Sequence, residues 1–161
     1  MAVSFRGTFE NRLDKKGRVS VPGEFRSQLR GLDFDGISVF PSLRYGTKRK
    51  ALECSGADRM AQMSASIPAD GVMPDQSTQM IKFLLGRTRD LAFDGEGRVV
   101  LPEVFATHLG LGERVTFVGQ GPYFEMWDSA AYAQHEIDQM QQGLAVADQM
   151  LANQPPLGTV R

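Results

Sequence analysis

Leu13 to Pro22, LDKKGRVSVP, returns once, displaced by 80 residues, as Phe93 to Pro102, FDGEGRVVLP. Both copies carry the frame Asp-x-x-Gly-Arg-Val-x-x-Pro, with an apolar residue ahead of the Asp. Half of ten positions could match by chance, so the flanks decide. Phe25 and Leu29 recur at the same offset as Phe105 and Leu109, and Ile37-Ser-Val-Phe is echoed by Val115-Thr-Phe-Val. The chain is an internal repeat.

Each copy predicts its own local structure. Asp14 suits the first position of a tight reversal, because its carboxylate can accept backbone N–H groups two residues on. Gly17 suits the left-handed residue that closes a short hairpin loop. The arms are Thr8 to Leu13 and Arg18 to Val21, the second alternating Val19 and Val21 with polar neighbours. Pro22 ends the strand and opens a short helix with Phe25 and Leu29 on one face. Gly31 and Gly110 stand where helix C-caps are expected. Each unit reads strand, loop, strand, helix, strand. A unit of about fifty residues has little interior of its own, so the copies are expected to pair.

The whole chain sets bounds. Its 161 residues, 42% apolar, suffice for one compact domain or two small ones. No apolar run approaches a membrane span, and the N-terminus lacks a secretory h-region, so the expected compartment is the cytoplasm with no membrane partner. One cysteine, Cys54, excludes an intrachain disulfide framework and is most simply a small core residue. The net charge of −1 is bland, but its distribution is not. Residues 1–50 hold eleven Lys/Arg against five Asp/Glu, net +6; residues 51–161 hold seven against fourteen, net −7. Such a chain can show a basic face and stay soluble.

Along the chain, Arg6 and Arg12 bracket the first strand, the first loop adds Lys15, Lys16 and Arg18, and the helix adds Arg26 and Arg30. Ile37 to Phe40 is a strand closed by Pro41. Arg44 to Lys50 is a basic loop, read equally as a solvated insertion or a phosphate contact. Ala51 to Cys54 closes the first unit. Gly56 to Ser66 reads as a helix with Met60 and Met63 inward, Ile67 to Gln76 as a Pro/Gly/Asp connector, and Ser77 to Leu85 as helical or partly extended. Trp127 reads as core and Asp128 as an N-cap. Ile137, Met140, Leu144, Ala147 and Leu151 recur at helix-seam spacing, broken by Gly143, which suggests docking on the chain's own body or a neighbour. Asn153 to Arg161 reads as a tail. The expected organisation is two units at 5–55 and 87–132, a helical connector at 56–86, and a C-terminal helix and tail at 133–161.

Chemistry finds little to hold. Two histidines and one cysteine make a zinc cluster improbable, and His108 is expected at an incidental surface position. No Gly-x-x-x-x-Gly-Lys loop appears, and Gly119-Gln-Gly121 is too short for a dinucleotide fingerprint. No catalytic residue, metal or cofactor is expected. Asp14 and Asp94 each have an Arg four residues on, so a local ion pair is their simplest role. Arg18 and Arg98 then brace the loops, or, oriented by Asp, they reach a phosphate or a guanine edge. Lys15 and Lys16 have no structural duty and suit phosphate contact.

These residues resemble the MraZ family, bacterial transcriptional regulators with two SpoVT/AbrB-like units. FRGTFENRLDKKGRVSVPGEFR (Phe5 to Arg26), FLLG (Phe83 to Gly86), FDGEGRVVLP and VGQGPYFEMW (Val118 to Trp127) carry the likeness, which covers roughly residues 5 to 135. It implies a β-rich α+β fold of two tandem swapped-hairpin β-barrel units packed as a pseudo-two-fold pair, in a ring-like homo-oligomer. It also implies binding to double-stranded DNA at repeated operators upstream of division and cell-wall genes, in the nucleoid. The second loop departs from the pattern, with Gly95-Glu96 where a basic residue is expected. The expected DNA-contacting set is Arg6, Arg12, Asp14, Lys15, Lys16, Arg18 and Arg98. The other reading is an oligomeric scaffold that binds no DNA.

Overall fold

The computed structural model describes residues 2–68 and 75–155. Residues 69–74 of the expected Pro/Gly/Asp connector, and the tail beyond residue 155, lie outside the described residues. The first repeat supplies β1 (Thr8–Arg12), β2 (Arg18–Ser20), α1 (Gly23–Gln28), β3 (Gly36–Pro41) and β4 (Leu52–Ser55). Between the repeats stand α2 (Ala57–Ala65) and α3 (Gln76–Leu85). The second repeat supplies β5 (Arg89–Ala92), β6 (Arg98–Val100), α4 (Glu103–Leu109), β7 (Arg114–Gly119) and β8 (Phe124–Asp128), and α5 (Ser129–Ala152) follows. The protein is a β-rich α+β chain, and it divides after Ser129 into two compact bodies.

Local signals set most of these elements. Pro22 and Pro102 occupy the positions just before α1 and α4. Gly110 caps α4 in the left-handed conformation, at φ 60°. Its counterpart behaves differently: α1 stops at Gln28, with Leu29 as its C-cap, and Gly31 (φ 85°) lies in the loop beyond. The stretch at 77–85, left between helix and strand by its pattern, is helical because Asp75 caps it, its carboxylate accepting the Thr78 N–H at 2.8 Å. Met60 and Met63 on α2 are half-buried.

Strand pairing departs from the simple hairpin expectation. The loops at Asp14–Arg18 and Asp94–Arg98 do reverse the chain, yet their arms do not form a ladder with each other. β1 pairs with β7 of the second repeat, β5 with β3 of the first, and β2 with β6, all antiparallel. A six-stranded sheet results, in the order β1-β7-β8-β4-β3-β5, beside the two-stranded ribbon β2-β6. Exchanging equivalent strands of the two repeats turns that order into its own reverse. Burial accompanies this exchange: β1 and β5 each pair with a six-residue, largely buried strand of the other repeat, and β2 and β6 bury Val19 and Val99 opposite each other.

The core lies where the repeats interleave. Phe25 of α1 meets Phe5 edge-on at 5.5 Å, Phe9 at 5.3 Å and Phe124 at 4.8 Å between ring centroids. Val19 and Val99, opposite each other in the ribbon, are both buried. Cys54 and Trp127 are fully buried, as expected of core residues.

A polar network crosses this centre. Glu53 and Glu125 face each other across β4 and β8, and both are buried. Two like charges so placed would repel unless each found partners. Glu53 takes Arg44 and Arg59, each at 2.8 Å. Glu125 accepts from the Tyr45 hydroxyl at 2.7 Å and from the Trp127 ring N–H at 3.2 Å. Both arginines also lie over the Tyr123 ring. The basic loop at 44–50 is therefore partly turned inward, because Arg44 pairs with buried Glu53 and Tyr45 hydrogen-bonds buried Glu125.

His108 corrects another expectation. It is half-buried, with Nε2 3.3 Å from the Ala51 carbonyl of the other repeat. A carbonyl only accepts, so the ring donates from Nε2. Burial, with Lys50 nearby, lowers its pKa from the ordinary 6.5. A histidine depressed by folding binds protons more tightly when unfolded, so its contribution is whole above that ordinary value and shrinks as pH falls below it. Melting temperature is expected to decline from about pH 6.5 toward 5, and less so in His108→Gln; equal declines in both proteins would refute this role.

α5 runs for 24 residues without a break at Gly143. Ile137, Met140, Leu144 and Leu151 on it are exposed. Asp128, just ahead of it, accepts the Gly112 N–H at 2.9 Å. Among the described residues, no helix is long and apolar enough to cross a membrane.

Candidate nucleic-acid interface

The two repeated loops are built alike from their own residues. In the first, one Asp14 oxygen accepts the Lys16 and Arg18 N–H groups at 2.9 and 2.8 Å, and the other accepts Arg18 Nε at 2.6 Å. In the second, Asp94 accepts the Glu96 and Arg98 N–H groups at 2.9 Å each, and Arg98 Nε at 2.8 Å. Gly17 and Gly97, at φ 78° and 76°, supply the left-handed residue each turn needs. The Arg18 N–H, foremost, holds the Asp14 carboxyl below its ordinary pKa, and the Arg98 N–H does the same for Asp94. Both carboxylates therefore stay ionised and keep their guanidiniums oriented across the neutral range.

The loops are also joined to each other. The Gly17 carbonyl accepts the Leu101 N–H at 2.8 Å, and the Gly97 carbonyl accepts the Val21 N–H at 3.2 Å. These are equivalent bonds, each running from one repeat's loop to the residue just after the other repeat's second strand. Asp94 foremost, then Glu96 and Asp14, raises the pKa of Arg98, which places the first loop's carboxylate within electrostatic reach of the second loop's guanidinium.

Ribbon register then sorts the side chains. Val19 and Val99 point into the core, so the outward face of β2-β6 carries Arg18, Ser20, Arg98 and Val100. Arg18 and Arg98 are partly exposed, with 30% and 26% of their side chains open. Val100 is 58% exposed, high for a branched apolar residue in a strand. Lys15 and Lys16 are exposed at the tip of the first loop. Of the expected residues, Asp14, Lys15, Lys16, Arg18 and Arg98 are thus brought together on one joined pair of loops. Arg6, ahead of β1, and Arg12, its last residue, are exposed, with Arg12 opposite Arg114 of β7. Ser20 and Val100 share the outward face although the sequence did not single them out; the alternation with Val19 and Val99 was the available signal.

Two carboxylate-held guanidiniums therefore share the outward face of one antiparallel ribbon, with a cationic tip on one loop. Residues 84–152 match the family model described as "MraZ protein, putative antitoxin-like". The chain is 35% identical to the transcriptional regulator MraZ of Pelagibacter ubique over 134 residues, 83% of this chain and 84% of that protein. It is 36% identical to that of Parvibaculum lavamentivorans, covering 84% and 82% of the two chains. It is 37% identical to that of Rhodospirillum rubrum, covering 79% and 81%. The chain belongs to the MraZ family.

Proposed function

We propose that the chain is a sequence-specific DNA-binding transcriptional regulator that acts as a homo-oligomer on repeated sites. Its target on this reading is the division and cell-wall gene cluster, its own promoter included, in the cytoplasmic nucleoid. The observation that carries the reading is the outward ribbon face, on which Arg18 and Arg98 are each held by an Asp. A two-stranded ribbon fits the major groove of B-DNA, where an oriented guanidinium can take both acceptors of a guanine. Arg6, Arg12, Lys15 and Lys16 supply phosphate contacts that set register without reading sequence. Asp14 and Asp94 act through the arginines. The reversible strand order supports two tandem AbrB-like swapped-hairpin units, over residues 5–55 and 87–132, related by a pseudo-two-fold axis. Several such units tethered in one ring gain affinity on repeated sites through effective concentration. Regulation of this kind needs no catalytic step.

The two loops divide the labour. The first carries Lys15 and Lys16, the second Gly95 and Glu96, and a carboxylate at Glu96 is repelled by phosphate. The first loop supplies most of the charge. Retarded migration of the native upstream fragment, weakening with salt, tests the function. In Lys15→Ala/Lys16→Ala, the log–log slope of affinity against salt is expected to fall by about 0.9 for each phosphate that the lysines no longer neutralise. Glu96→Lys is expected to add only non-specific affinity. An unchanged slope without the lysines, with binding abolished on changing the second loop, would reverse the assignment.

A further inference from the structure

Arg26, on α1 of the first repeat, lies against the loop of the second. Its Nε donates to the Val21 carbonyl at 3.0 Å, which fixes the base of the guanidinium. The flat group then rests on Gly97: a Cβ built there would fall 2.5 Å from Arg26 Cζ and Nη1. Val21 holds the same glycine from its other side, donating its N–H to the Gly97 carbonyl. Arg26 and Val21 thus grip the residue immediately before Arg98. A small cleft beside them is lined by Arg26, Phe93, Asp94 and Gly95, so Arg26 and the start of the second loop border one cavity.

The first loop is not gripped in this way. Ala106 stands at the position equivalent to Arg26, and a Cβ on Gly17 would meet the Leu101 carbonyl at 3.6 Å as its nearest neighbour. This asymmetry opposes the asymmetry of charge. The first loop carries two lysines and is drawn to phosphate whatever its order. The second has no lysine, and Glu96 lies 3.6 Å from the Arg98 guanidinium, competing for it.

We propose that Arg26 is a positioning residue that locks the second loop, so that Arg98 is presented to DNA ready-shaped while the first loop binds by charge and adapts. This rests on the DNA-binding reading above, which the experiment tests separately. Amide exchange at Gly97 and Arg98 is compared with that at Gly17 and Arg18, in the whole protein without DNA, for wild type and Arg26→Ala. Binding of the native upstream fragment is then measured across salt concentrations.

The expected result is faster exchange in the second loop alone. Affinity for the upstream fragment should fall by about tenfold, the cost of ordering one long side chain during binding. The salt slope should be unchanged, because Arg26 does not touch phosphate. Arg26→Lys keeps the stem and the charge but not the flat group on Gly97; it should loosen the same loop, and it serves if the alanine variant does not fold. Unchanged exchange in the second loop, equal loosening of both loops, or a slope lowered by about 0.9 would each overturn the proposal. A wild-type protein that fails to retard the fragment would instead overturn the DNA-binding reading, with the exchange comparison still deciding whether Arg26 grips the loop.

Discussion

Arg18→Ala is expected to weaken binding of the upstream fragment by about ten- to a hundredfold, with little change in melting temperature. A good bidentate contact to a base is worth about 1–3 kcal/mol of discrimination. The Asp14–Arg18 pair is partly open to solvent, at 34% and 30% side-chain exposure. Solvent-screened pairs of that kind contribute little to folding. Arg18→Ala/Arg98→Ala should remove specificity and leave only the salt-sensitive attraction of the lysines. The competing account makes both arginines braces. It requires the melting temperature to drop while the folded fraction binds as before. A double-mutant cycle between Asp14 and Arg18, read by binding and by melting, separates the two. Coupling in binding with little in melting is the expected result; the converse would remove the arginines from the interface.

Phe25→Ala is expected to cost about 3–5 kcal/mol, the usual range for emptying an aromatic site in a packed core. Phe25 is 1% exposed, and its ring packs against the segment at Phe5, β1 and β8. These elements come from both repeats, so the cavity would open where the repeats interleave. At about 2–4 °C per kcal/mol for a chain of this size, the melting temperature should fall by roughly 10 °C. Urea unfolding should show a lower midpoint with the same slope if the change acts on the folded state. A loss below about 1 kcal/mol would mean that the interleaved core is not the main source of stability.

Much of the interface was legible because it is local. Asp14 and Arg18 lie four residues apart on one turn, and so do Asp94 and Arg98, so their bonds need no distant element. The glycines at 17 and 97 and the prolines at 22 and 102 act on their own backbone. Membership of each loop in a repeat follows from identity at a fixed offset, which needs no coordinates.

What the local pattern leaves open is partner choice. The alternation of β2 is satisfied equally by β1 or by β6, because a short amphipathic arm specifies which face is buried and not what covers it. No local signal singles out Glu53 or Glu125; only the adjacency of β4 and β8 buries them and draws Arg44, Tyr45 and Arg59 inward. His108 likewise becomes a half-buried link only when Ala51 of the other repeat arrives beside it. The sequence by itself determined the repeat, through identity at a fixed offset, and the two turns with their Asp–Arg geometry, since each turn is decided within about five residues. The tertiary structure alone decided that the arms cross between repeats, that two carboxylates meet at the centre, and that Arg26 lies on Gly97. Those pairings join residues 50 or more positions apart, and they are selected by the burial of both repeats' apolar faces at once, a condition that no single segment expresses.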